Sequence, residues 1–169
     1  PAEQARALLA PVSADLAGRA GATLSTPCWT LMLAFGEPVG VVRDCWESPG
    51  PIGWAARNSA KPGRVGPETW VVQASPDWSR THIEDAADAV TMELKRALSD
   101  LLGVGLPEPV SESSHRWRYA RSGCEGSVAI FDPARRLGVC GDWLNGPTVE
   151  AAWVSGTRLA ELVAESPSV

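Results

Sequence analysis

The sequence is first informative for what it lacks. No apolar run is long enough to span a bilayer, and no basic segment followed by an apolar one opens the chain, so neither a membrane anchor nor a secretory signal is legible. Four cysteines, Cys28, Cys45, Cys124 and Cys140, are widely spaced, with no CxxC pair and no histidine at ligand spacing. That argues against a zinc site, and a disulfide framework is unnecessary at this length; the expectation is reduced, mostly buried thiols in a cytoplasmic protein. There are two histidines, and neither His82 nor His115 stands near a serine or cysteine in a recognisable nucleophile elbow. No Walker motif is present, and no G-x-G-x-x-G marks a strand-to-helix turn. Acids outnumber bases 20 to 15, a net charge of −5, which gives no electrostatic reason to expect nucleic acid or an anionic membrane as partner.

What is present reads as a globular chain. Its 169 residues suit one domain, or one domain with a piece of another, and 44% hydrophobic with 21% charged residues rules out a wholly disordered polypeptide. Opening on Pro1 rather than methionine is expected of a chain that starts inside a longer protein. Eight tryptophans are spread along it, and core or rim packing accounts for most of them.

Apolar spacing and turn residues give the order of elements. Residues 1–10 read as a helix stopped by Pro11, and a second helix runs from Ser13 as N-cap to Gly21. Residues 27–35 read as a strand buried on both faces, followed by strands at 52–58 and 69–74 that the short connections make antiparallel. The clearest helix lies between Thr81 and Gly103, with Thr81 and Glu84 as a capping box and Lys95 and Arg96 late in the helix. Strands follow at 115–119 and 127–131. Residues 137–140 then form a strand, Gly141-Asp142 breaks it, and Asn145-Gly146-Pro147 turns into a helix that Thr148 can cap. The fold class is α+β, with a mixed or antiparallel sheet covered by helices.

Two clusters carry chemistry. Arg57-Asn58-Ser59 with Lys61 closes an otherwise apolar strand. Along 115–119, alternation puts His115, Trp117 and Tyr119 on one face and Arg116 and Arg118 on the other. Solvated charges at strand ends beside a packed aromatic are one account of both; an aromatic floor with polar tips, facing a planar ligand, is the other. At the end of the chain, the glycine turn feeding a helix N-terminus leaves amides without helical partners, a spot that suits an anion or a dipole.

Several stretches together resemble the C-terminal half of the renalase-like FAD-dependent oxidoreductases, relatives of the flavin amine oxidases. They are Pro27-Cys-Trp-Thr-Leu-Met-Leu-Ala-Phe35, Trp54-Ala-Ala-Arg-Asn-Ser59 with Lys61-Pro-Gly63, and Glu68-Thr-Trp70. They continue with Ala74-Ser-Pro-Asp-Trp78-Ser, His115-Arg-Trp-Arg-Tyr-Ala120, and Gly141-Asp-Trp143 with Val149-Glu-Ala-Ala-Trp153-Val-Ser-Gly156. The resemblance implies a substrate-binding domain over 1–136, then a strand and helix over 137–169 that return to a Rossmann-type FAD domain. It implies FAD contacts from Gly141, Asp142, Trp143, Thr148, Val149 and Glu150, and substrate contacts from Arg57, Asn58, Gln73 and Trp117. A histidine often stands in the family where Gln73 does, so the polar contact would survive here without a titrating group. No catalytic acid or base is nominated, and no metal is expected.

For bacterial members the implied reaction is oxidation of dihydronicotinamide dinucleotide isomers, with hydride passing to FAD and O2 reoxidising the flavin to give hydrogen peroxide. An FAD-dependent oxidase of small amines and a non-catalytic α+β module binding a ligand or partner are the alternatives. The family's glycine-rich phosphate loop has no counterpart in residues 1–169. The implied partner is therefore the missing FAD-binding half, and the chain alone is expected to bind FAD weakly or not at all and to be inactive.

Overall fold

Alternating side chains on one strand organise the sheet. In the computed structural model of the chain, which describes residues 1–166, β1 (Thr26–Phe35) pairs antiparallel with β4 (Glu68–Ala74), setting Leu31 opposite Val72 and Leu33 opposite Trp70. β3 (Ile52–Arg57) pairs antiparallel with β4, and β2 (Cys45–Glu47) with β3. With β5 (Pro109–Arg121) the order is β2-β3-β4-β1-β5, so β5 is an edge strand beside β1. The chain packs as two compact units, Pro27–Arg118 and a second one made of Pro1–Thr26 with the chain from Tyr119 onward. The architecture is α+β with antiparallel sheets, as expected.

In the Pro27–Arg118 unit, Trp29, Leu31, Leu33, Phe35, Ala55, Trp70 and Val72 form one core with Val90, Leu94 and Leu98 of α4 (Ala87–Leu102). The three helical residues recur every fourth position, which aligns them along one helix face. Because successive strand residues face opposite ways, the alternate set on β1 and β4 lies away from α4. Met32 is 42% exposed there while Thr30 on the same side is buried, so β1 is not buried on both faces along its whole length: α4 covers one face, and the other is open around Met32.

The helix expected from Thr81 divides in two. Ser75-Pro76 starts a short helix, α3 (Pro76–Thr81), because proline is preset for the first helical turn. Thr81 ends this helix, its hydroxyl donating to the Asp77 carbonyl at 3.1 Å, so it caps nothing downstream. α4 starts after Ala86, which offers no side-chain cap, and it ends at Gly103 in the left-handed region. Lys95 lies mid-helix and pairs with Glu112 at 2.8 Å rather than serving the helix dipole. His82 follows α3, stacks on Trp78 with centroids 4.1 Å apart, and contacts Asp85 at 2.7 Å.

In the other unit, α1 (Ala2–Leu9) and α2 (Ala14–Ala22) bury Ala2, Leu9, Leu16, Ala17 and Ala20 against Trp143 and Leu144. The Ser13 hydroxyl accepts from the Leu16 amide at 3.4 Å, the cap expected from sequence. β6 (Ile130–Asp132) and β7 (Leu137–Val139) form a two-stranded antiparallel sheet. β6 starts later than expected because the Ser127 amide turns back to the Glu125 carboxylate at 3.0 Å. The last strand, β7, pairs with β6 among the described residues, not with a parallel strand. α5 (Asp142–Asn145), unforeseen, precedes α6 (Val149–Glu165), whose N-cap is Thr148 as expected. All four cysteines are free, but Cys45, Cys124 and Cys140 are exposed, which corrects the expectation of buried thiols: Cys45 lies on the three-residue strand β2, and the other two in connections.

Burial pushes the Glu125 carboxyl up, but hydrogen bonds from Arg19 (2.6 Å) and Ser127 outweigh it and hold the group below the ordinary carboxylate range. A depressed folded value means the contribution is present at neutral pH and is lost as pH falls through that value. Glu125→Gln should therefore lower stability at neutral pH and flatten the acid limb of a denaturation-versus-pH curve. Leu94→Ala, at a fully buried position, should cost about 2–5 kcal/mol by urea unfolding.

Candidate functional site

The open face of the sheet is built by register. Gln73 stands opposite Thr30 of β1 on one side and Trp54 of β3 on the other, so Thr30, Gln73 and Trp54 form a row across three strands. Met32, Val71 and Ala56 form the next row. Directly opposed residues share a face, and these belong to the set that alternates with the core residues. These two rows are mostly apolar, with the carboxamide of Gln73 and the buried Thr30 set into them, and the first row continues onto β2 with Glu47 opposite Trp54.

β5 contributes through the same alternation. The Arg116 guanidinium lies 5.5 Å over the ring of Trp29, a core residue, and donates to the Ile83 carbonyl at 2.8 Å. Ser114 donates to the Ala87 carbonyl at 3.4 Å, and Arg118 reaches Glu84 at 2.6 Å. Residues 114, 116 and 118 thus face the helices, which leaves His115 and Trp117 on the open face. Their rings meet edge to face with centroids 4.3 Å apart, and Trp117 is 53% exposed. Cys28 alternates with Trp29 onto this face; burial pushes its thiol up, against a smaller opposing effect from Thr30 at 3.8 Å, which keeps it neutral at physiological pH.

Of the four residues expected to touch substrate, Gln73 and Trp117 share this face. Arg57 does not. It stands opposite Trp70, a core residue, and its guanidinium donates to the Val41 carbonyl at 2.9 Å, pairs with Asp44 and lies 3.9 Å from Glu68. These contacts tie the loop after β1 to the sheet. Asn58 is not on the strand either: β3 ends at Arg57, and Asn58 opens a single 3-10 turn, Asn58–Ala60, whose Ser59 hydroxyl accepts from the Thr69 amide at 3.2 Å. Thr30, Met32 and Trp54 lie in the stretches that carry the resemblance but are not among the four residues it assigns to substrate. The signal for them is alternation counted from Gln73, which needs the register of the pairing.

The six residues expected at a cofactor separate in the same way. Trp143 is buried with Leu144 against α1 and α2, so its indole packs the core and is not offered to a ligand. The Asp142 carboxylate accepts the Ser122 hydroxyl at 2.6 Å. Gly141 has φ +148°, and a Cβ there would stand 2.9 Å from Cδ1 of Trp143; its amide donates to the Ser155 hydroxyl at 2.9 Å. Gly141 is thus a packing requirement of the turn. Thr148 caps α6 by accepting from the Ala151 amide at 3.0 Å. Val149, 90% exposed, and Glu150 occupy the first helical positions, where amides have no intrahelical carbonyl to bond. Among the described residues, no group of three or more His, Cys, Asp or Glu side chains is placed to hold a metal ion, and no helix is long and apolar enough to cross a membrane.

No protein-family model matches the chain. Among solved structures it is similar to an Exiguobacterium sp. 255-15 protein described as a "putative protoporphyrinogen oxidase", with a TM-score of 0.70 at 11% identity. The match covers 98% of this chain and 40% of that one, so the chain spans well under half the length of its structural neighbour. At that identity the likeness shows a shared fold.

Gly141→Ala would force a side chain into the strained backbone and against Trp143. It should cost about 1–3 kcal/mol by denaturant unfolding, and Ser155→Ala a similar amount for leaving the Gly141 amide unpaired.

Proposed function

We propose that the open sheet face is the substrate surface of a flavin-dependent oxidase, and that the substrate is a planar dihydronicotinamide dinucleotide isomer. One observation carries this reading: Gln73 and Trp117, two of the four substrate residues that the resemblance implies, lie on the same face of the sheet, away from α4. The Trp117 ring offers a stacking surface, and the Gln73 carboxamide can both donate to and accept from the carboxamide of a nicotinamide. Glu47 of β2, opposite Trp54, brings one carboxylate to the face and His115 one imidazole beside Trp117; hydride transfer asks the face chiefly to orient its donor. The oxidase name of the structural neighbour supports an oxidoreductase reading of the fold.

The fit to FAD is partial. Thr148, Val149 and Glu150 suit it, because a capped helix start with free amides can meet the electron-rich edge of a flavin. Trp143 and the Asp142 carboxylate do not, since each is committed within the protein. When bound, the flavin supplies the hydride-accepting ring that no side chain provides. We assign residues 1–136 to the substrate side, 137–169 to the cofactor side, and the glycine-rich phosphate loop to polypeptide outside residues 1–169.

The test is anaerobic mixing of the complete gene product with 2- and 6-dihydronicotinamide dinucleotides, following flavin absorbance. Bleaching by either isomer, with at least a tenfold (about 1.4 kcal/mol) loss of kcat/KM in Trp117→Ala, is the expected outcome. Bleaching by small amines or by protoporphyrinogen alone would replace the substrate assignment. Purification without flavin would leave a non-catalytic binding module.

A further inference from the structure

β5 has a neighbour, β1, on one side, so backbone pairing holds it less firmly than the inner strands. On the helix-facing side, Glu112 and Ser114 contact Lys95 and the Ala87 carbonyl of α4, and Arg116 and Arg118 contact one short connection, residues 82–86 between α3 and α4. The Glu84 carboxylate takes both ends of the Arg118 guanidinium, Oε1 at 2.6 Å and Oε2 at 2.9 Å, and Oε2 also meets Arg116 at 3.4 Å. Arg116 donates in addition to the Ile83 carbonyl at 2.8 Å. The connection is itself tied to the central strand, because the Trp29 indole donates to the His82 carbonyl at 2.9 Å, and Arg116 lies over that same indole.

These contacts bracket one position. Trp117 lies between Arg116 and Arg118, which face the other way, and the Glu84 carboxylate pairs with both of them. A two-pronged arginine–carboxylate pair fixes orientation as well as distance, which a single contact to a flexible side chain would not. The Arg118 hydrogen bond, chiefly, holds the Glu84 carboxyl below the ordinary carboxylate range, in agreement with the geometry.

The geometry points to Glu84 as a positioning residue: from the helix side of the sheet it clamps Arg116 and Arg118, and so fixes the orientation of Trp117 on the open face. The proposal rests on the reading of that face as the substrate surface, but its structural half can be tested without substrate or flavin. Glu84 touches neither, so it acts through the strand.

The experiment is fluorine NMR of the protein labelled with 5-fluorotryptophan, with the Trp117 and Trp70 resonances assigned by Trp→Phe variants. The wild-type protein should give one sharp Trp117 line. Glu84→Ala should shift and broaden it while leaving the core Trp70 line in place, and Arg118→Ala should do the same. The double variant should change the line by less than the sum of the two single changes, since both remove the Glu84–Arg118 pair. Glu84→Gln, which keeps an acceptor, should restore part of the line shape. In the flavin-loaded gene product, Glu84→Ala should raise KM for the dihydronicotinamide substrate by roughly threefold to tenfold with kcat within about twofold. An unchanged Trp117 line in Glu84→Ala overturns the proposal, as does a line that moves equally with Trp70, which would mark general loosening. A moved line in a gene product that oxidises no dihydronicotinamide keeps the clamp and sinks the substrate reading alone.

Discussion

The pairing of β1 with β4, with Leu31 opposite Val72 and Leu33 opposite Trp70, is the constraint on which the candidate site depends. A strand has a side-chain period of two, so this register sends one complete set of residues to the core under α4 and the other complete set to the open face. A slip by one residue would exchange them, burying Met32 and Gln73 and exposing Leu31 and Val72. Burial of Leu94 and Leu98 against the core set makes that exchange costly, and the same burial therefore presents Thr30, Gln73 and Trp54 as a row. Site and core are two sides of one register.

The other unit shows how a motif can be recognised and its residues still divide into different tasks. Gly141, Asp142 and Trp143 are adjacent in sequence, yet the indole packs against α1 and α2, the carboxylate holds Ser122, and the glycine allows the close turn between them. Their contacts build the support from which α6 starts. Thr148 caps the helix and donates its own amide to the Gly146 carbonyl at 2.8 Å, while Val149 and Glu150 occupy the helix start, where amides have no intrahelical carbonyl to bond. Four of the six expected cofactor residues, Gly141, Asp142, Trp143 and Thr148, thus have contacts within the protein.

Much of the fold was legible in the sequence because local rules decide it. Ser13 and Thr148 act as caps, Gly103 ends α4 in the left-handed region, and three strands of the main sheet lie where apolar runs and Pro-Gly turns put them. The division of the helix near Thr81 was missed because proline at 76 nucleates a helix of its own, and a capping-box pattern at 81–84 reads the same whether or not a helix starts there. For Arg57 and Trp143, a sequence shows residue type and not commitment. Only the fold reveals that the guanidinium is spent on Val41 and Asp44 and the indole on the core. The likeness of Glu84 to an ordinary solvated helix-start carboxylate hid its contacts to β5, some thirty residues away.

The central claim is that ligand lies on the sheet face opposite α4, and site-resolved labelling tests it most directly. Met32→Cys places a thiol on that face, and Met92→Cys places one on the outer, 68% exposed side of α4. With the flavin-loaded gene product, maleimide modification at each position would be followed by mass spectrometry as a dihydronicotinamide dinucleotide is added without oxygen. Slowed labelling at position 32 with an unchanged rate at position 92 is the result predicted here. Equal labelling of position 32 with and without the dinucleotide, under conditions where the flavin is reduced, would contradict it.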